Sequence, residues 1–159
     1  MSLIDLPSAK AHLRVASNYP DAQVSVYLNA SETMAAQWLN RNIYADQTAL
    51  DAALAAVPAA LLAAGVTYEA AIDAAEAIED DVASAAAEQY AEDVYAAAQD
   101  SALRTRAGIV IDDMIRAGVL LILGHLFENR EDTVAGVTIA SLPQGSRVVL
   151  MPYRVSMGV

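Results

Sequence analysis

Apolar positions recur along this chain at helical spacing, and in one stretch they crowd out the polar ones. From Met114 to Phe127 only Arg116 and His125 are polar. Met114, Ile115, Val119, Ile122, Leu123 and Phe127 leave no wide polar stripe, so the pattern predicts a helix, Asp113–Asp132, buried on several sides. Its uncharged run, Ala117–Gly124, is far shorter than the roughly 20 residues a membrane span needs. It gives way abruptly to Glu128, Asn129, Arg130, Glu131 and Asp132, so an internal helix is expected to reach the surface there.

Two shorter patterns precede it. Asp5 is placed to cap a helix beginning at Leu6, with Pro7 tolerated in the first turn. Over Asp5–Val15, Leu6, Ala9 and Leu13 share one face, which puts Lys10 and Arg14 on the wet side. Asn18-Tyr-Pro-Asp21 predicts a second helix capped by Asn18. Val24, Leu28, Ser31, Ala35 and Trp38 follow at three- and four-residue spacing, to an end near Asn40–Asn42. Trp38 and Phe127, the only residues of their kinds, are expected with Leu123 in or near the main core.

Thr48–Ala107 has another character. Of its 60 residues 24 are alanine, and eleven acids face only Arg104 and Arg106, a net of −9 within the chain's −11. Alanine is the best intrinsic helix former, so this is helix despite its low complexity. The punctuation predicts a first limb Thr48–Ala64 broken at Pro58, a turn at Gly65–Thr67, and a long limb from Tyr68 to about Arg104. Tyr68, Ile72, Ala75, Ile78, Val82 and Tyr90 would then form one narrow stripe along that limb. A stripe of such small residues buries little area, so the segment is expected to be a helical hairpin added to a smaller domain.

Beyond the central helix, Val134–Ala140 suits a loop or short strand, and Ser141–Gln144 matches a capping box before a short helix through Leu150. Pro152 stops it, and Tyr153–Val159 is expected to leave as an extended apolar tail. The fold class is therefore all-α: a small helical bundle around one central apolar helix, with residues 1–47 and 108–159 as its core and 48–107 as an inserted Ala-rich hairpin.

The net charge of −11 argues against a nucleic-acid-binding surface. The lack of cysteine excludes a disulfide framework and a Cys metal site. The opening MSLIDLPSAK has no basic n-region or apolar h-region, so an intracellular protein is expected. Chemistry has few candidates. His125 and Glu128 lie one turn apart and, with Glu131 or His12, could form a metal site or acid–base pair. The plainer reading is a hydrogen-bonded histidine ending a core helix. Glu76, Glu79, Asp80 and Asp81 spread around a helix axis without a calcium-binding glycine loop, which reads as a solvated face. No phosphate loop, nucleophile elbow or zinc spacing occurs. A non-enzymatic protein without cofactor or metal is expected.

Four blocks occur in order: AKAHLRV (Ala9–Val15), WLNRNIY (Trp38–Tyr44), IRAGVLLILGHLFENRE (Ile115–Glu131) and LPQGSRVVLMPYR (Leu142–Arg154). Together they resemble the head–tail connector, or adaptor, family of tailed double-stranded DNA bacteriophages. The resemblance spans both ends of the chain and leaves out the hairpin, where compact relatives have a short connection. It implies a homo-oligomeric ring of about a dozen copies in the virion neck, beneath the portal. That ring would extend the DNA channel without binding DNA specifically, join a tail-proximal stopper or completion protein, and touch no membrane. By position, Arg41, Glu128, Arg130 and Glu131 would be inter-subunit or bundle-closing charges. Tyr153, Arg154, Val155, Met157 and Val159 would form a tail reaching the portal. The alternative is an intracellular helical scaffolding module, with the hairpin as a protein-binding arm.

Overall fold

In a computed structural model of the chain, residues 2–129 and 144–155 are described. Helix α1 (Leu6–Leu13) starts where the sequence places it: the Asp5 carboxylate accepts from the Ser8 amide at 2.8 Å and the Ser8 hydroxyl at 2.9 Å. Those donors hold the Asp5 pKa below its ordinary value. Helix α2 (Asp21–Leu39) has Pro20 at its N-cap and no side-chain cap, so Asn18 does not cap it. Arg14 and Asn40, at φ 54° and 55°, end these two helices in the left-handed conformation.

Lys10 does not stand on the wet side of α1. It is buried, because its Nζ donates to the Ser17 carbonyl at 2.8 Å and pairs with Asp21 Oδ1 at 2.6 Å, across the α1–α2 connection. A charge leaves water readily only with such partners.

After α2 come strand β1 (Ile43–Tyr44), helix α3 (Gln47–Glu76), helix α4 (Asp81–Arg106) and strand β2 (Ile109–Val110). The strands pair in parallel, Ile43 with Ile109 and Tyr44 with Val110. Helix α5 (Asp113–Glu128) follows, capped by the Asp112 carboxylate on the Ile115 amide at 2.8 Å. Helix α6 (Gln144–Leu150) then runs into a 3-10 turn, Met151–Tyr153. The chain divides into two compact units, Met1–Asp46 with Ile109–Val159, and Gln47–Gly108.

In the first unit α5 packs against α1, α2 and α6. Ile115, Gly118, Val119, Ile122 and Leu123 of α5 are buried against Ile4, Val24, Leu28, Leu39 and Leu150. Trp38 is half-buried against this core. Phe127, also half-buried, is held edge-on by Tyr19 and Tyr27, each at 5.8 Å. The central helix is shorter than expected, closing at Glu128 with Asn129 non-helical as its C-cap. It is also less enclosed: Met114 and Leu121 are exposed. The expectations for Val134–Ala140 and the Ser141 capping box lie outside the described residues.

In the second unit the turn is not at Gly65. Helix α3 runs through both Pro58 and Gly65, and the reversal comes at residues 77–80. One glycine costs about 1 kcal/mol against alanine, which the surrounding alanines outweigh. Asp80 makes the real start signal, its carboxylate accepting from the Ala83 amide at 2.8 Å. The supposed single stripe is thereby split between two helices. Tyr68 stacks on Tyr95 of α4 at 5.0 Å, while Val82 and Tyr90 face solvent. Among the described residues, the helix long and apolar enough to cross a membrane, by length and composition alone, is α3 and not α5; 11% of that window is buried.

Candidate functional site

Residues of two of the resembling blocks, Trp38–Tyr44 and Leu142–Arg154, meet at one end of the first unit. The α2 C-terminus supplies Trp38, Leu39 and Arg41, the N-cap of α5 supplies Asp112, and the stretch after α6 supplies Tyr153–Val155. The Val155 amide donates to the Leu39 carbonyl at 3.0 Å. Arg41 Nη1 donates to the Tyr153 carbonyl at 3.2 Å across 112 positions of sequence. The Arg154 guanidinium lies 5.2 Å from the Trp38 ring centroid, within cation–π range.

Electrostatics tie the third element in. Burial works against the Asp112 carboxylate, but the Ile115 amide and the Tyr153 hydroxyl that donate to it outweigh this and lower its pKa. The same hydrogen bond raises the pKa of Tyr153. Burial lowers that of Arg41.

This clasp sorts the candidates. Arg41 is committed within its own chain, to the segment after α6. Tyr153, Arg154 and Val155 do not leave as a tail: they lie back on the bundle, because α2 and α5 offer them a carbonyl, an indole and a carboxylate. Met157 and Val159 lie outside the described residues, as do Arg130 and Glu131. Glu128 is exposed at the end of α5.

His125 sits beside its own helix end, its Nδ1 3.2 Å from the Asn129 amide nitrogen, which also donates to the His125 carbonyl at 2.8 Å. A Cβ on Gly124 would lie 3.6 Å from His12 Nε2, so α1 reaches α5 there. Among the described residues no three His, Asp or Glu side chains converge as a metal site.

Two anchors escaped the sequence reading. Glu32 Oε1 accepts from the Ser2 hydroxyl at 2.7 Å and the Leu3 and Ile4 amides at 2.9 and 3.0 Å, fixing the N-terminal segment on α2. Asp112 was the other, although an Asp three residues before Ile115 is a recognisable cap signal. No family model, characterised protein or solved structure matches this chain.

Proposed function

We propose that the chain is a non-enzymatic structural protein, a head–tail connector that assembles into a ring beneath a phage portal. One observation carries this reading. WLNRNIY and LPQGSRVVLMPYR meet in the clasp through Arg41 on the Tyr153 carbonyl, 112 positions away, and Arg154 over Trp38, so these two resembling blocks are built into one unit and the hairpin is a separate unit. The exposed Met114, Leu121, Val148 and Met151 on that unit suit a surface that contacts another protein.

Sedimentation over a range of concentrations, with electron microscopy of the heaviest species, tests the ring. The expected result is a closed ring of about a dozen copies that co-purifies with a portal. A protein that never exceeds a dimer, or that binds no portal, would favour the scaffolding alternative.

A further inference from the structure

The hairpin of α3 and α4 hides a segregation of charge that its composition does not suggest. Along one side, two surface grooves run between the helices. The first, about 400 Å³, is lined by Ala64, Thr67, Ala71, Tyr90, Val94 and Ala98 among others. The second, about 340 Å³, continues it from Ala98 past Ala53, Ala56, Ala60, Ser101 and Thr105. No charged residue lines either groove, although the segment holds eleven acids. The threonine hydroxyls are turned inward: Thr67 donates to the Ala63 carbonyl and Thr105 to the Ser101 carbonyl, both at 3.0 Å. Tyr90 and Val94 stand on this side 72% and 46% exposed.

We propose that this uncharged face is where a second copy of the chain docks, hairpin on hairpin, to close a four-helix bundle. Three arguments select a second copy. The first is size. Helix α4 has 26 residues. At 1.5 Å per residue and two helix widths, the face offers about 700–800 Å², close to the roughly 800 Å² per partner of a stable interface. Another hairpin of the same length covers both grooves, whereas a single helix covers one.

The second argument is charge. An acidic chain meets its own copy only where acids are absent, and this is that face. Its rim is also self-complementary: Asp93 and Arg104 stand five and six positions either side of Ala98, where the grooves join. A two-fold axis crossing the helices at that level lays α4 antiparallel on the second α4. Asp93 of each copy then approaches Arg104 of the other, and each Tyr90 reaches the alanine-walled groove opposite.

The third argument sets lipid aside. A helix at a membrane surface favours basic flanks. The uncharged run of α3 is flanked instead by Asp51 and Glu69. The contact is isologous, while a cyclic ring uses heterologous contacts, so it stands independently of the proposed ring.

The test uses the full chain, which has no native cysteine. Ala97 is exposed on the docking face and Ala96 is exposed away from it. Mild oxidation of Ala97→Cys should give a covalent dimer, and of Ala96→Cys none. Ser101→Glu, also at an exposed position, should raise the dimer dissociation constant at least about tenfold with helix content unchanged, because a carboxylate would be buried unpaired. Equal cross-linking at both sites, or none, would overturn the pairing. So would a Ser101→Glu protein that dimerises like the parent. Transfer of the monomer to neutral phosphatidylcholine vesicles, blocked by Ser101→Glu, would assign the face to lipid instead.

Discussion

Gly118 and Leu150 interlock: a Cβ built on Gly118 would lie 2.6 Å from Leu150 Cδ2 and Cγ. Leu150 is fully buried and has no room to retreat, so the bare turn of α5 is the socket in which α6 docks. Gly118→Ala gains about 1 kcal/mol of helix propensity but overpacks the site at about 1–3 kcal/mol, a net loss of up to about 2 kcal/mol. Denaturant unfolding of the single and double variants checks it. With Leu150→Ala already present, Gly118→Ala should cost nothing, and purely additive losses would show that the two do not interlock.

Leu123 is fully buried at the centre of the same helix. Leu123→Ala should cost about 2–5 kcal/mol. A variant that unfolds at the parent's denaturant midpoint would displace the core from α5.

The legible parts of this fold are those decided locally. Asp5 with Pro7 announces α1, and the Val24–Trp38 spacing announces α2, because capping and amphipathicity act within a few residues. What stayed hidden depends on partners far along the chain. Lys10 reads as a wet residue until the Ser17 carbonyl and Asp21 are brought beside it. The clasp rests on Arg41 meeting a carbonyl 112 positions away. Gly65 misled for the opposite reason, since a local breaker was outweighed by many strong helix formers. The two-residue strands were too short to show any period.

Those strands bear on the hairpin. Tyr44 pairs with Val110, so the chain entering the insert lies beside the chain leaving it. Replacing Gln47–Gly108 with about six glycines, enough to span a gap this short, should leave a soluble first unit that unfolds cooperatively. Aggregation of the shortened protein, or loss of its sharp transition, would make the hairpin part of the core.

The Asp112–Tyr153 hydrogen bond gives the clasp a pH window. Asp112 has a lowered pKa, so its contribution is present above the ordinary carboxylate value of 3.8 and lost as pH falls through the folded value. Tyr153 has a raised pKa, so its contribution is present below the ordinary value of 10.0 and lost as pH rises through the folded value. Stability should therefore decline at both extremes, and Tyr153→Phe should flatten the alkaline decline. An unchanged alkaline limb in that variant would assign the loss to other groups.

The clasp also divides the C-terminal segment into two parts with different expected roles. Cutting after Pro152 removes Tyr153–Val155. With it go the Arg41–Tyr153 and Leu39–Val155 hydrogen bonds, the Tyr153–Asp112 contact and the Arg154–Trp38 stacking. At about 0.5–1.5 kcal/mol for each of the Arg41–Tyr153 and Leu39–Val155 hydrogen bonds and about 0.5–1 for the cation–π contact, the loss should total about 1.5–4 kcal/mol. Cutting after Val155 leaves every one of those contacts in place, so the monomer should melt with the parent. In the connector reading, Met157 and Val159 belong to the segment that reaches the portal, so the Val155 truncation alone should abolish portal co-purification. Thermal melts beside a pull-down on the same two truncations separate the effects. Parent-like portal binding after the Val155 cut would move that contact elsewhere, and a parent-like melt after the Pro152 cut would mean that the clasp adds nothing to stability.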